Sequence, residues 1–275
     1  MSLYRYMLVL LLSSMGLQIS AQEIKARKPF SIGETLTFNS DILGEERKLN
    51  IYLPQGYDQN TDKSYPVIYL LDGSVDEDFI HIAGLVQFGS FSWINMLPES
   101  ILVGIANVDR KRDFTYPSNV EQDNKDLPTS GGSKQFINFL ENELQPLVNR
   151  TYRTQGPSTL IGQSLGGLLA TEVLMKKPDL FEHYVIVGPS LWWGAESLLA
   201  YSPNPNGTNK SIFIAVGKEG QVMERTARQL EKKLKAAHPY NKRIFFSFLE
   251  AQDHGDALHL AVYQAFEKLF GTEDK

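Results

Sequence analysis

The chain has 275 residues, of which 42% are hydrophobic and 21% charged, and it contains no cysteine. This composition is typical of a globular protein, and the absence of cysteine excludes disulfide bonds, thiolate metal sites and a cysteine nucleophile. The formal net charge is −5 and the basic residues form no stripe, so the sequence does not predict binding to nucleic acid.

The first 21 residues predict a signal peptide, with cleavage near Ala21. Arg5 precedes a short apolar run from Tyr6 to Leu12, and small and polar residues follow it. This run is too short to span a bilayer comfortably, which predicts a periplasmic or secreted protein with no stable membrane anchor. A buried N-terminal helix is the alternative interpretation.

Residues 22–275 alternate predicted strands and helices without a linker, which predicts a single domain. Continuous apolar runs such as 66–71 are typical of strands buried on both faces. The alternation predicts an α/β fold with a central, mostly parallel, twisted sheet and helices on both faces. The predicted strands are 34–39, 47–53, 66–71, 101–106, 159–161, 184–187, 211–216 and 243–249. The predicted helices are 78–89, 133–149 (capped by Ser133), 165–177, 221–237 and 256–270, and long irregular segments cover 107–132 and 189–210.

A Gly-x-Ser-x-Gly motif, from Gly162 to Gly166, lies between the predicted strand 159–161 and the helix that follows it. This is the context of a nucleophile elbow, in which a tight turn exposes the serine and the glycines let strand and helix approach. The motif alone is weak because it also occurs by chance, and a glycine-rich connecting turn is the alternative. The strand-to-helix context favours Ser164 as a nucleophile.

A nucleophilic serine needs a base, and in this type of fold the histidine follows the last strand. His254 has that position, between the predicted strand 243–249 and the helix 256–270. His259 lies close by but inside the helix, and it is the alternative base. The other histidines, whose positions are typical of structural residues, are His81, His183 and His238.

The acid of a catalytic triad should lie between the serine and the histidine in the chain. Glu219 follows the predicted strand 211–216 and therefore has this position. A carboxylate there would orient the imidazole and stabilise the imidazolium that forms during the reaction. Glu224 and Asp253 are the alternative acids.

An oxyanion hole needs two backbone N–H groups that point at the developing negative charge. One is expected from Leu165, at the start of the helix after Ser164. The other is expected from Ser74, in the loop after strand 66–71, where Gly73 would permit the turn.

Taken together, these motifs resemble the putative-esterase family of α/β-hydrolases, which includes esterase D and the feruloyl, acetylxylan, enterobactin and salmochelin esterases. The resemblance covers about residues 30–270 and is greatest to the siderophore-esterase-like branch. It implies the α/β-hydrolase fold with Ser164 and His254 as the working pair. Because some siderophore esterases rely mainly on a Ser–His dyad, it leaves the importance of Glu219 open. The chain departs from the family at Tyr116, which separates Thr115 from Pro117. The matching segments are 69–73, 107–115, 162–167, 188–193, 216–219 and 253–255.

Further candidates for binding the substrate are an arginine and three tryptophans. Arg110 could hold an anionic substrate group, or it could have a structural role. Trp192 and Trp193 could line an aromatic pocket, together with Trp93, or they could cap the core beneath the loop 189–210.

The sequence thus predicts an exported serine esterase that hydrolyses a carboxylic ester through an acyl-enzyme on Ser164, without metal or cofactor. The expected partner is a small-molecule or glycan-linked ester, with siderophore-type esters in first place. A feruloyl or acetyl esterase of plant polysaccharide is the first alternative. A binding protein that kept the fold without the chemistry is the second. The oligomeric state is left open.

Overall fold

The computed structural model describes residues 24–203 and 210–271 of the chain. A first unit ends at Ser31, and its described residues 24–31 form neither helix nor strand. A second unit begins at Ile32 and holds every helix and strand given below. The predicted signal peptide, residues 1–21, lies outside the described residues. In the part of the chain that is described, no helix is long and apolar enough to cross a membrane.

One sheet of eight strands runs through the second unit. The strands are β1 (Glu34–Ser40), β2 (Glu45–Tyr52), β3 (Tyr65–Leu70), β4 (Ile101–Ile105), β5 (Thr154–Gln163), β6 (His183–Val187), β7 (Ser211–Gly217) and β8 (Ile244–Leu249). Their order across the sheet is β1-β2-β4-β3-β5-β6-β7-β8. β2 is antiparallel to β1 and β4, and all the other neighbours are parallel. The prediction of a mostly parallel sheet is therefore confirmed.

The helices connect these strands and cover both faces of the sheet. They are α1 (Phe79–Gly89), α2 (Arg110–Phe114), α3 (Glu121–Asp126), α4 (Ser133–Phe139), α5 (Gln145–Thr151), α6 (Leu165–Lys176), α7 (Ser197–Ala200), α8 (Gln221–Ala237) and α9 (Ala257–Phe270). A π-helical turn, Leu140–Leu144, joins α4 to α5, and a 3₁₀ turn, Pro178–Leu180, follows α6.

The structure corrects the prediction in the region 107–151. The predicted irregular segment 107–132 contains α2 and α3, which are five and six residues long and therefore too short to show a helical period. Asp109 begins α2 by accepting a hydrogen bond from the Arg112 amide at 3.0 Å. Ser133 is not a cap, since Gly132 precedes α4 and the buried Ser133 hydroxyl finds no partner among the described residues. Similarly, the predicted loop 189–210 contains α7.

Alternate residues of the central strands pack on opposite faces of the sheet, which explains their continuous apolar runs. Ile68 and Leu70 of β3 pack in the core formed with α1 and α9. Val67 and Tyr69 point to the other face, where α4, α6 and α8 cover the sheet. Both faces are buried, so a polar residue at any of these positions would lose its contact with water.

A buried ion network holds α2 against the sheet. Arg47 of β2 is 1% exposed and donates to Asp113 Oδ2 at 2.8 Å. Arg112 donates to Asp113 Oδ1 at 2.8 Å, and both arginines also contact Glu45. Because removing one partner would leave a buried charge uncompensated, this network fixes the position of α2 and of Arg110 at its start.

The order of the strands creates a crevice between the ends of β3 and β5. The chain leaves β3 through α1 toward β4, on one side, and leaves β5 through α6 toward β6, on the other side. In open α/β sheets ligands bind at such a switch point, outside the carboxyl ends of the strands. The loop 72–78 and the turn at Ser164 flank this crevice.

Candidate active site

Ser164 lies in a strained turn between β5 and α6, as the motif predicts. Its φ is 59° and its ψ −120°, a conformation that is costly for any residue other than glycine and that recurs at catalytic positions. A Cβ on Gly162 would lie 2.3 Å from the carbonyl oxygen of Gly166. Glycine at position 162 is therefore required by the close approach of α6 to the strand.

The hydroxyl of Ser164 has a neighbour that the sequence analysis missed. Its Oγ lies 3.4 Å from the Oγ of Ser190, whose amide also donates to the Ser164 carbonyl at 3.0 Å. Ser190 follows β6 and is 3% exposed. Among the described residues no hydrogen bond joins Ser164 to His254. The only sequence signal for Ser190 was its place in the matching segment 188–193.

His254 and Glu219 form a hydrogen-bonded pair. The distance between His254 Nδ1 and Glu219 Oε2 is 2.5 Å, with the histidine side chain 47% exposed and the glutamate side chain 1% exposed. The hydrogen bond to Glu219 raises the pKa of His254, against the opposing effect of burial. A carboxylate that accepts from Nδ1 leaves Nε2 as the ring's basic atom, which is the arrangement a general base needs.

Glycines leave room for the buried carboxylate of Glu219. Its Oε1 accepts a hydrogen bond from the Gly217 amide at 2.9 Å. A Cβ on Gly188 would lie 2.7 Å from Glu219 Oε2. The carboxylate is therefore held between the loops that follow β6 and β7.

The loop that carries His254 is hydrogen-bonded to the turn that carries Ser164. The side-chain amide of Gln163, the residue before Ser164, donates to the His254 carbonyl at 2.6 Å. This contact positions the histidine loop beside Ser164, and no motif in the sequence predicts it.

The alternative acids and the alternative base have other partners. Glu224 Oε1 accepts from the Gly220 amide at 3.1 Å, and Asp253 Oδ1 accepts from the Gly255 amide at 2.8 Å. The ring of His259 lies 6.3 Å from that of His81. Of the three carboxylates considered, the structure places Glu219 against His254.

The two expected oxyanion donors lie in the neighbouring loops after β3 and β5. Leu165 is the first residue of α6, where amides have no partner within the helix. The Ser74 amide also lacks an acceptor within the residues that the structure describes. The turn differs from the prediction, because Asp72 and not Gly73 has the positive φ, 55°. Gly73 is instead required by packing, since a Cβ there would lie 2.4 Å from the Cα of Gly104.

Arg110 reaches the site, but its charge is paired. Its Nε lies 2.6 Å from Asp72 Oδ1 and an Nη lies 3.0 Å from Asp72 Oδ2, while the same Nη is 3.4 Å from the Gln163 carbonyl oxygen. Asn107 donates to Asp72 Oδ1 at 2.7 Å. Arg110 thus connects the loops after β3 and β5, and the sequence analysis missed Asp72 and Asn107 as its partners.

The two adjacent tryptophans differ in exposure. Trp193 is fully buried, and its Nε1 donates to the Tyr116 carbonyl at 2.8 Å. This burial corrects the expectation that Trp193 lines an open pocket, because its ring caps the core beneath the loop. Trp192 is 37% exposed and remains a candidate for contact with substrate. Trp93 is 75% exposed and stacks on Phe91, beyond the end of α1.

The chain is similar in sequence to known proteins. The model of the family described as "Putative esterase" matches residues 40–259. The ferri-bacillibactin esterase BesA of Bacillus subtilis strain 168 is 28% identical over 244 residues, which are 80% of this chain and 84% of that protein.

Two solved structures extend the likeness to three dimensions. An IroE-like serine hydrolase from Shewanella oneidensis is 29% identical with a TM-score of 0.77, covering 86% of this chain and 80% of its own. The BES protein from Bacillus cereus is 26% identical with a TM-score of 0.77, covering 90% of this chain and 99% of its own. The α/β-hydrolase fold and the resemblance drawn from the motifs are confirmed.

Proposed function

We propose, from the premise that the chain belongs to the putative-esterase family, that it is an exported serine hydrolase that cleaves carboxylic esters through an acyl-enzyme on Ser164. The coarser function, hydrolysis of a carboxylic ester, follows from the family and its relatives. The observation that carries the finer proposal is the 2.5 Å hydrogen bond between His254 and Glu219. The backbone carbonyl of His254 also accepts a hydrogen bond from the side chain of Gln163, the residue before Ser164.

In the proposed mechanism, His254 acts first as a base and then as an acid in each half-reaction. His254 Nε2 takes the proton of Ser164 while Oγ attacks the ester carbonyl, and the tetrahedral oxyanion is bound by the amides of Leu165 and Ser74. His254 then protonates the leaving alcohol, and water hydrolyses the acyl-enzyme in the same way. Ser164 Oγ turns from Ser190 to His254 when substrate binds, since catalytic hydrogen bonds often form fully only in the complex.

For the substrate we propose a siderophore-type ester. BesA, which matches 80% of this chain at 28% identity, is named as a ferri-bacillibactin esterase. Small-molecule esters of this kind enter an open crevice such as that between the ends of β3 and β5. A feruloyl or acetyl ester of plant polysaccharide is the rival. Comparing kcat/KM for a ferric siderophore trilactone, methyl ferulate and acetylated xylan decides between them, and a preference for methyl ferulate would overturn the substrate proposal.

Export is proposed from the pattern of residues 1–21. The expected result is a mature N-terminus at Gln22 in protein recovered from the periplasm or the culture medium. Recovery of the protein only from the cytoplasm, with residues 1–21 still attached, would contradict it.

The first prediction concerns the nucleophile. Ser164→Ala should lower kcat for p-nitrophenyl acetate by about 10⁴–10⁶, as expected when a triad nucleophile is removed. Ser158→Ala, the same change in the middle of β5, is the matched control and should retain activity. Substantial residual turnover by Ser164→Ala would end the proposal.

A fluorophosphonate probe separates an esterase from a binding protein that has lost its chemistry. The probe phosphonylates an activated serine, so wild-type protein should be labelled at Ser164 and Ser164→Ala should not. If the wild-type protein is folded but is not labelled, the result would favour the alternative of a binding protein without catalytic activity.

A further inference from the structure

An exposed cluster of aromatic side chains lies beyond the end of α1. Phe91 and Trp93 stack with ring centroids 4.6 Å apart, and Phe88 lies 6.4 Å from Phe91 and 6.5 Å from Tyr263. Trp93 is 75% exposed and Phe88 is 40% exposed. Scattered exposed apolar residues are ordinary, but several that adjoin one another mark an interaction surface. We refer to Phe88, Phe91, Trp93 and Tyr263 as the aromatic cluster.

The aromatic cluster lies at the opposite edge of the sheet from Ser164. α1 begins after β3, at the carboxyl edge where the crevice lies, and runs back to end at Gly89. α9 begins after β8 at that same edge and runs back to end at Phe270. The last turn of α1, which carries Phe88, and the segment with Phe91 and Trp93 that follows it are therefore at the amino edge of the sheet. Tyr263, in the middle of α9, lies beside Phe88.

Cations border the aromatic cluster. A cavity of about 570 Å³ is lined by Trp93 together with Lys242, Arg243 and Lys268, and among the described residues Glu267 is the one acidic residue in its wall. Within the described ranges, none of these three cations forms an ion pair with a carboxylate. The described part of this surface is thus locally positive, in a chain whose net charge is −5.

Arg243 is held in place by neutral groups. Its Nε donates to Ser211 Oγ at 2.6 Å, and its guanidinium also donates to the Leu269 carbonyl. Both acceptors are uncharged, so the positive charge is oriented without being neutralised. It remains available to an anion from outside.

We propose that the aromatic cluster and the cations beside it dock the protein, reversibly, on an anionic lipid bilayer. Exposed rings such as Trp93 are suited to the boundary between headgroups and acyl chains, because one end of the ring is apolar and the other polar. Lys242 and Lys268 would contact lipid phosphates, to which basic residues near a membrane surface are attracted. A neutral glycan would use the rings but not the unpaired cations, so the charge favours the bilayer.

This orientation leaves the candidate active site open to water. The crevice beside Ser164 is at the carboxyl edge of the sheet, and the docking surface is at the amino edge. Docking therefore does not depend on ester hydrolysis, and the two proposals can fail separately.

The test is co-sedimentation of the full mature chain, residues 22–275, with lipid vesicles, because the apolar run of residues 1–21 could itself enter a bilayer. The protein should bind vesicles of phosphatidylcholine mixed with phosphatidylglycerol, and not vesicles of phosphatidylcholine alone. Added salt should weaken the binding, since it screens the lysines from the lipid phosphates. The full chain is used so that the charges of Glu273 and Asp274, which lie outside the described residues, count in the result.

Variants identify the surface. The double reversal Lys242→Glu with Lys268→Glu should lower the partition coefficient at least about 25-fold, since each basic residue near an anionic surface contributes about fivefold. Trp93→Ala should lower it at least about fivefold, by removing the apolar ring that docking would bury in the bilayer. Lys232→Glu, on the helix α8, and Trp192→Ala are the matched controls and should bind as wild type does.

The controls also show whether the variants fold. Trp93→Ala and the lysine variants change exposed positions, so each should retain wild-type hydrolysis of soluble p-nitrophenyl acetate. Ser164→Ala should bind vesicles normally. The docking proposal is overturned if wild-type protein does not sediment with the anionic vesicles, if it binds phosphatidylcholine equally well, or if the variants bind unchanged. If the protein bound soluble xylan and did not bind vesicles, the aromatic cluster would be assigned to glycan binding instead.

Discussion

Glu219 accepts hydrogen bonds on both carboxylate oxygens, from His254 Nδ1 at 2.5 Å and from the Gly217 amide at 2.9 Å. At the scale of the residue, this arrangement favours the protonated imidazole, because a buried negative charge lies against Nδ1. The pKa of His254 is accordingly raised. A general base must be neutral to take the Ser164 proton, so activity should fall as the pH decreases through this raised pKa.

The second prediction follows for Glu219→Gln. The amide keeps the shape of the side chain but removes the charge, and it can leave the imidazole in the wrong tautomer. We expect kcat/KM to fall by about 10²-fold or more, and the acid limb of its pH profile to move to lower pH. Glu224→Gln, whose carboxylate contacts the Gly220 amide, is the control. An unshifted acid limb in Glu219→Gln would show that the pair does not set the pKa of the base.

At the scale of elements, the loop after β3 owes its position to a close backbone approach. Gly73 and Gly104 pack against each other where β3 and β4 end, and the Gly104 Cβ position lies 2.6 Å from the Gly73 carbonyl oxygen. The contact explains why both positions are glycine. It also holds the segment that carries the Ser74 amide.

The third prediction compares two glycines. In Gly73→Ala the new Cβ meets Gly104 backbone at 2.4 Å, so the loop must move, at a cost of roughly 1–3 kcal/mol of folding free energy. Displacement of the Ser74 amide should also lower kcat, by up to about 10²–10³-fold if the donor is lost.

The matched change is Gly84→Ala, in the interior of α1. A Cβ at Gly84 has nothing within 4 Å, so the variant should be more stable by about 0.5–1 kcal/mol, with unchanged kcat. Chemical denaturation and steady-state kinetics measure both effects. Wild-type kcat in Gly73→Ala would remove the support for Ser74 as an oxyanion donor.

At the scale of the whole molecule, folding stability should depend on pH through Asp78. Burial, and then the negative charges of Asp72 and Glu77, raise the pKa of Asp78 to about 6 from an ordinary value of 3.8. The unfolded chain thus ionises at lower pH than the folded one. Stability therefore decreases as the pH rises through this window, and the decrease is complete above the folded pKa.

The fourth prediction is that Asp78→Asn stabilises the protein at neutral and alkaline pH. The expected gain at about pH 8 is on the order of 1 kcal/mol after allowance for solvent screening at this half-buried site, and it should vanish below about pH 4. Denaturation curves measured across the pH range give this gain in stability. Asp76→Asn, at an exposed position, is the control. A gain that did not depend on pH would assign the effect to another cause.

The arrangement of the whole molecule also separates its two proposed surfaces. The crevice lies where the parallel strands end, and the aromatic cluster lies where they begin. A protein docked through Trp93 and Lys242 would present Ser164 to the solvent, where a soluble ester can reach it.

The features of this protein that depend on local spacing could be predicted from its residues. The apolar runs and their alternation with helices predicted the mostly parallel sheet, since buried strands and amphipathic helices have characteristic periods. The Gly-x-Ser-x-Gly spacing predicted the turn at Ser164, whose φ is 59°. Ser164, Glu219 and His254 each follow a predicted strand, and this position predicted that all three lie at the carboxyl ends of strands.

The contacts between side chains of different loops at the strand ends could be seen only in the three-dimensional structure. Arg110 binds Asp72, 38 positions away, and Ser190 lies beside Ser164, 26 positions away. Such contacts depend on the order of strands in the sheet, which no local period reveals. The burial of Trp193 has the same origin, because whether a ring caps the core or faces solvent depends on the fold of the loop over it.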